Sequence, residues 1–363
     1  MAKNIIVGLG NAGTNCIKAA ASSPKLEDVT MYSIDSVASS IDLEMINRVT
    51  VIPIISDEKS GSGRDRSRGR AMYEFHEEQG AFKTLYEECY NAKAPVVVIT
   101  SAAGGTGSGS VVPFCKALIE RDIQVIPIII CPNMDDPDAY HLNTNDLMIE
   151  LNEIGVETYA IFRNSRGDAD YTPVNNEVVE MIEIMFGKKY DKTTLDSIDD
   201  SDLDVVLNMP GRFIAVSATA PDINSLKKEL TRKVLSGFQP SWTDKDSTDN
   251  TLMTAYSLTS MYADTDFKTV FSDLNARIHH VYDEYRNICR SDNGGVCSAT
   301  IIVAGLPRAE VKEINANFNG AGKIGAGMNK SVRPGFMKKK KATIDKVKND
   351  GKDGALVAKF NWK

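Results

Sequence analysis

Two glycine-rich segments constrain this chain more than any other feature. Gly8-Leu9-Gly10-Asn11-Ala12-Gly13 follows the apolar run Asn4–Val7 and opens a helical pattern. Ala103-Gly104-Gly105-Thr106-Gly107-Ser108-Gly109 follows Pro95–Thr100 and opens another. A glycine loop between strand and helix lets backbone approach a phosphate, and the helix N-terminus favours the negative charge. Two such loops at the carboxyl ends of neighbouring strands can clasp one polyphosphate from two sides. The second loop is followed by no lysine, so it is not the GxxxxGK[ST] loop, and its run of Gly, Thr and Ser reads as a nest of N–H donors.

The surrounding pattern is α/β. Strand candidates are Asn4–Val7, Thr30–Ile34, Thr50–Ile55, Pro95–Thr100, Gln124–Ile130 and Thr158–Phe162. Several are continuous Val/Ile runs, as in strands buried on both faces of a parallel sheet. Helical patterns at about 14–26, 66–91, 109–121 and 141–153 fill the intervals, which predicts a doubly wound parallel-sheet nucleotide-binding domain. Val174–Lys188 is apolar around much of its circumference and reads as a long central helix between two layers. The acidic stretch Asp196–Asp204 follows. Beyond it, strands at Arg212–Ser217, Leu252–Thr259 and Ala299–Ala304 mix with two helices, the clearer over 267–288, where apolar residues keep i, i+3, i+4 spacing. This predicts a smaller α+β domain over 205–310. From Asn315 to Gly335 the chain turns Gly- and Asn-rich, and order is expected to fade.

Composition excludes several classes. Hydrophobic residues are 42% and charged residues 25% of 363, which rules out wholesale disorder and fibrous repeats. No run of about 18 apolar residues exists, so no membrane span is expected. The apolar run after Met1-Ala2-Lys3-Asn4 is too short for a signal peptide. Six scattered cysteines with no CxxC pair argue against a zinc site and for a reducing, cytoplasmic setting. The four histidines form no metal or triad pattern, and no protein metal site is expected.

The first loop alone also fits GxGxxG, with Asp35, 22 residues after Gly13, where a ribose-binding acid would sit. A rival reading is therefore an NAD-dependent oxidoreductase. It leaves the second glycine loop unexplained and offers no obvious histidine for hydride transfer.

With these motifs the sequence resembles the tubulin/FtsZ superfamily over about residues 1–310. Ala103–Gly109 fits that family's [SAG]GGTG[SAT]G phosphate loop in full. Gly8–Asn15 resembles its first loop, Ser33-Ile34-Asp35 its second, and Gly61-Ser62-Gly63-Arg64-Asp65 with Gly69-Arg70 its third. The resemblance implies a GTP/GDP site with Mg²⁺ at the phosphates. It places nucleotide contacts at Gly10, Asn11, Ala12 and Asn15, at Asp35, at Gly63 and Arg64, and at Gly104, Gly105, Thr106, Gly107, Ser108 and Gly109. Asn164 after a strand and Asn176 at the start of the central helix match the two guanine contacts, and an amide can serve both donor and acceptor edges of a purine. Asp136 falls where FtsZ has a ribose-contacting Glu, although the arginine expected nearby is missing.

The family carries NxDxxD after the central helix, and there Asp199 and Asp202 match its acids. Ser197 replaces the asparagine, which leaves a register on Asp200 and Asp204 open. By resemblance, these acids enter the next subunit's nucleotide site in a homopolymeric filament and orient the attacking water. The implied divisions are 1–173, a GTP-binding domain; 174–204, central helix and catalytic loop; 205–310, an activation domain; and 311–363, a C-terminal helix and basic tail. Residues 338–363 hold nine Lys and three Asp, a net of +6 against −13 for the rest. A basic tail on an acidic body can attract an acidic partner or another copy. It resembles the tail of the TubZ branch, which serves plasmid and phage partition through a DNA-bound adaptor protein, so DNA would be engaged indirectly. An FtsZ-like division filament is the alternative.

Overall fold

The computed structural model describes residues 4–37, 47–55, 61–133, 135–164, 170–187, 194–196, 198–236, 252–279, 281–291, 295–308, 342–344 and 360–362. Strands β1 (Ile5–Leu9), β2 (Thr30–Asp35), β3 (Val49–Pro53), β4 (Val96–Ser101), β5 (Val125–Cys131) and β6 (Thr158–Arg163) alternate with helices α1 (Gly10–Ala21), α2 (Arg66–Glu78), α3 (Lys83–Ala92), α4 (Thr106–Ile119) and α5 (Asp138–Glu153). The second half holds α6 (Thr172–Phe186), β7 (Thr194–Asp196), α7 (Asp200–Leu207), β8 (Gly211–Ala220), α8 (Ile223–Ser236), β9 (Leu252–Ser260), α9 (Ala263–Asn275), β10 (Val281–Arg290) and β11 (Cys297–Leu306). Together they form an α/β fold on an 11-stranded sheet of order β3-β2-β1-β4-β5-β6-β8-β11-β9-β10-β7. The run from β3 to β8 is parallel throughout. β11 is antiparallel to β8 and β9.

The Val/Ile runs read as doubly buried strands are so. Val96 and Val98 of β4 join the core under α2–α5, while Val97 and Ile99 join the core on the opposite face. The strand period of two thus sends one continuous apolar run into two cores. The second core is shared along the sheet. It contains Ile6, Val97 and Ile128 from the first strands, Phe213, Ala215 and Ile302 from the last ones, and Val174, Val178, Val179, Met181, Ile182 and Met185 of α6. That sharing explains why α6 is apolar around so much of its circumference. A polar tie reinforces it: Glu180 of α6 accepts from Ser217 N (3.1 Å), Ser217 Oγ (2.6 Å) and Lys233 Nζ (2.9 Å). A third core lies between β8, β9, β11 and helices α8 and α9.

Two helix expectations are corrected. The pattern over 66–91 is two helices. Gly80, at φ +79°, turns the chain between them, with Gly80 N and Ala81 N bonding back to Glu77 O and His76 O. The pattern over 267–288 is helix only to Asn275; its second half is β10. There Val281–Arg290 pairs in parallel with Leu252–Ser260 of β9. Tyr282, apolar in the helical reading, is 76% exposed. Strand pairing with β9 overrides the 3.6-residue spacing. The tail retains two described strands, Ala342–Ile344 and Phe360–Trp362, paired antiparallel. Its Lys338–Lys341 run, the segment Asn315–Gly335 and Ser197 lie outside the described residues. Among the described residues, no helix is long and apolar enough to cross a membrane.

Because α6 holds one core across both halves of the sheet, Ile182→Ala should lower stability by about 2–5 kcal/mol while unfolding stays a single transition. Denaturant unfolding followed by far-UV circular dichroism checks this; two separated transitions would show that the halves do not share α6.

Candidate functional site

Helices α1 and α4 begin inside the glycine loops, three or four residues earlier than periodicity suggests. Gly10 is the first residue of α1 and Thr106 the first of α4. Neither helix has a side-chain N-cap, and neither carries an acid in its first turn. The leading N–H groups, including those of Asn11, Ala12, Gly107 and Ser108, therefore belong to helix starts that no side chain of their own caps, the condition for anion binding.

The two starts touch backbone to backbone. A Cβ on Gly10, whose φ is +69°, would stand 2.7 Å from Gly107 N, and one on Gly107 would meet Thr100 Oγ1 at 2.6 Å and collide with Leu9 O. Glycine is required at both positions by contact between the loops. Gly104 differs: a Cβ there would meet nothing within 4 Å. No neighbour among the described residues occupies that space.

The other predicted loops close around this pair. Ser36 Oγ lies 2.6 Å from Thr106 Oγ1, which donates to Ser62 Oγ at 3.1 Å. Buried Asp35 accepts from Ser36 N at 2.6 Å. Asp35 thus adjoins the second glycine loop through Ser36 and Thr106. In the third loop, Gly63 (φ +64°) and Arg64 (φ +63°) make a left-handed turn. Asp65 then caps α2 by accepting from Ser67 N and Arg68 N. Asn143 of α5 donates from Nδ2 to Arg64 O at 3.2 Å and to Ala103 O at 3.1 Å, stitching the third loop to the phosphate loop. The exposed Arg64 guanidinium rests 4.7 Å from the Tyr140 ring centroid. Buried Arg66 donates to Ser108 O at 3.2 Å and pairs with Glu150 at 3.1 Å. Burial lowers the Arg66 pKa, and Glu150 works against that shift.

A cleft of about 510 Å³ between α1 and the start of α6 is lined by Asn15, Lys18 and Ala19 on one side and Asp170, Tyr171, Thr172, Asn175 and Asn176 on the other. Asn15 and Asn176, 161 positions apart in sequence, thus share one cleft. Asn164 sits at the carboxyl end of β6, its N–H donating to Cys131 O at 3.1 Å, and its Oδ1 is buried with no partner among the described residues. Asp136 folds back on its own loop, accepting from Asn133 N at 2.7 Å.

Lys18, Tyr171 and Asn175 of this cleft were not singled out from sequence. Asn175 adjoins Asn176; it is half-buried where Asn176 is exposed, so it lies deeper in the α1–α6 seam.

Asp199 and Asp202 are not brought to this site within the chain. They form a reciprocal capping box at the start of α7: Asp202 N donates to Asp199 Oδ1 at 2.9 Å and Asp199 N to Asp202 Oδ2 at 3.0 Å. The α7 helix follows the far end of α6, whose 15 residues span about 22 Å. Asp204 is exposed on α7; the Asp200 side chain lies outside the described residues. Among the described residues, no cluster of three or more His, Cys, Asp or Glu could hold a metal ion.

The fold is that of the tubulin/FtsZ superfamily. The chain is similar to CetZ2 from Haloferax volcanii, solved as a GTPγS-bound protofilament (17% identity, TM-score 0.68, covering 89% of this chain and 99% of that one). It is similar to FtsZ from M. jannaschii (14% identity, TM-score 0.65, 86% and 91%). TubZ from Clostridium botulinum phage c-st matches at 14% identity and TM-score 0.64, over 89% of this chain and all of that one. No family model and no curated protein sequence matches the chain.

If the open space at Gly104 belongs to a bound phosphate, Gly104→Val should leave the melting temperature nearly unchanged yet weaken nucleoside triphosphate binding at least tenfold. Fluorescent-nucleotide titration beside thermal unfolding checks this. Unchanged affinity would put the phosphates elsewhere.

Proposed function

We propose that this protein is a GTPase that assembles into head-to-tail filaments. The observation that carries the reading is the meeting of two uncapped helix starts, backbone against backbone, with empty space over Gly104. That cradle fits a polyphosphate. The α1–α6 cleft fits the nucleoside, and the orphaned Asn164 Oδ1 fits a donor on a purine edge. Guanine offers N1–H and N2–H to an acceptor and O6 to a donor, whereas adenine reverses the pattern at position 6. Mg²⁺ would neutralise phosphate charge there, held mainly by phosphate and water oxygens.

The chain's own part in hydrolysis is positioning. Phosphoryl transfer needs placement and charge compensation more than covalent help. The helix starts hold the phosphates, and the Ser36–Thr106–Ser62 hydroxyl chain fixes the loops around them. Asp199 and Asp202 of one subunit would orient water in the site of the next, which makes turnover depend on assembly. The longitudinal contact is heterologous and gives an open polymer. Two of the similar structures support the assembly reading: the H. volcanii CetZ2 protofilament and a GTPγS-form protofilament of Bacillus thuringiensis TubZ. The role we favour is plasmid or phage DNA segregation, with the basic tail engaging a DNA-bound adaptor; the motive is the +6 tail on a −13 body.

Purified protein mixed with GTP, GDP or no nucleotide over a concentration series should pellet with GTP only. Phosphate release should appear above the same critical concentration. Release without polymer would leave an ordinary GTPase, and the absence of both signals would overturn the reading.

Asp202→Asn keeps an acceptor for the Asp199 N–H and so spares the capping box, worth about 1 kcal/mol. This variant should bind GTP and polymerise but release phosphate at least tenfold more slowly per polymerised subunit. Full turnover would remove Asp202 from the mechanism.

A further inference from the structure

Cys16 lies nearly two turns into α1, wholly buried where α1 packs on α6. Its Sγ donates a hydrogen bond to Asn175 Oδ1 at 3.3 Å. Burial pushes the thiol pKa up to about 12, so it remains protonated at neutral pH. A protonated thiol has one hydrogen to give and is a weak acceptor. The Asn175 amide therefore turns its oxygen towards Cys16, which leaves its NH₂ as the end available to the cleft it lines with Asn15 and Asn176. An amide free to rotate could present either end and would read 6-oxo and 6-amino purines alike. A pinned amide presents donors only.

We infer that Cys16 is a positioning residue for base selectivity: by holding Asn175 Oδ1, it makes the cleft accept a 6-oxopurine and disfavour a 6-aminopurine. The inference rests on the guanine-nucleotide reading above and adds to it the device that fixes which edge is read. Burial in the seam alone would make Cys16 a packing residue. The hydrogen bond to a side chain lining the cleft gives it a consequence for the ligand.

The test is competitive binding to the full-length protein of four triphosphates that share their phosphates and ribose. GTP and ITP carry a 6-oxo group; ATP and 2-amino-ATP carry a 6-amino group. The wild type should favour both 6-oxo nucleotides. Cys16→Ser, which keeps a donor, should hold that ratio near the wild-type value. Cys16→Ala, and Cys16→Val, which fills the volume without a donor, should each shrink the 6-oxo to 6-amino ratio about fivefold, the effect of one modest hydrogen bond. ITP should follow GTP and 2-amino-ATP should follow ATP. An unchanged ratio in Ala and Val, or an equal loss of affinity for all four nucleotides, would overturn the role of Cys16 while leaving guanine-nucleotide binding intact. A wild type that binds none of the four would overturn the guanine-nucleotide reading itself.

Discussion

The contact between the first turns of α1 and α4 is the constraint on which the rest of the structure depends. Backbone meets backbone at Gly10 and Gly107, and no side chain fits between them. Two helix starts, each with orphan N–H groups and a positive dipole end, are thereby forced side by side. Such an arrangement concentrates like partial charge and is unfavourable on its own. An anion relieves it. The absence of an acidic residue or capping side chain from both first turns means that neither helix supplies that relief from its own start. On the proposed function, stability and ligand binding would therefore be coupled at one point, and the neighbouring loops are tied to it through Ser36, Ser62, Thr106 and Asn143.

That point is mechanically continuous with the distant half of the molecule. The α1 helix packs on α6, and α6 shares its core with β8, β9 and β11. The α1–α6 cleft opens at the N-terminal end of α6, while Glu180, further along the same helix, is fastened to Ser217 and Lys233. A ligand that shifted the start of α6 would act on a helix fastened further along at Glu180, and packed cores move between discrete arrangements rather than deforming smoothly.

Much of this was legible in the sequence, and the parts that were not share a physical cause. The doubly buried strands were readable because continuous Val/Ile runs have few other uses. Both glycine loops were readable because their residue types are costly unless backbone approach is needed. The helix starts were not, since Gly10 and Thr106 belong to the loop motif and to the helix at once. The stretch 276–288 was misread because Ile278, Val281, Tyr282, Tyr285 and Ile288 satisfy helical spacing, while pairing with β9 is invisible locally. Gly80 could have divided 66–91, because a glycine at positive φ ends helices. Asn175 was passed over beside Asn176, since only the packing of α6 on α1 decides which asparagine lies deeper. Its link to Cys16 joins residues 159 positions apart and leaves no local trace.

The acidic pair shows how one residue pattern can serve two ends. Asp199 and Asp202 complete a capping box, which is reason enough for two acids three positions apart at a helix start. The same box supplies what a site built across two subunits would require. Below it, Leu203, Val206 and Leu207 anchor α7 in the shared core. Above it, each carboxylate is held by a backbone N–H, so neither depends on a long flexible side chain for its position. On the proposed mechanism the acids must arrive at a neighbour's phosphates already in place, since ordering them on arrival would cost side-chain entropy at the step that should be fastest. Capping is therefore no argument against catalysis at this position. It is the local interaction that would make carboxylates on an exposed helix start rigid enough to orient water.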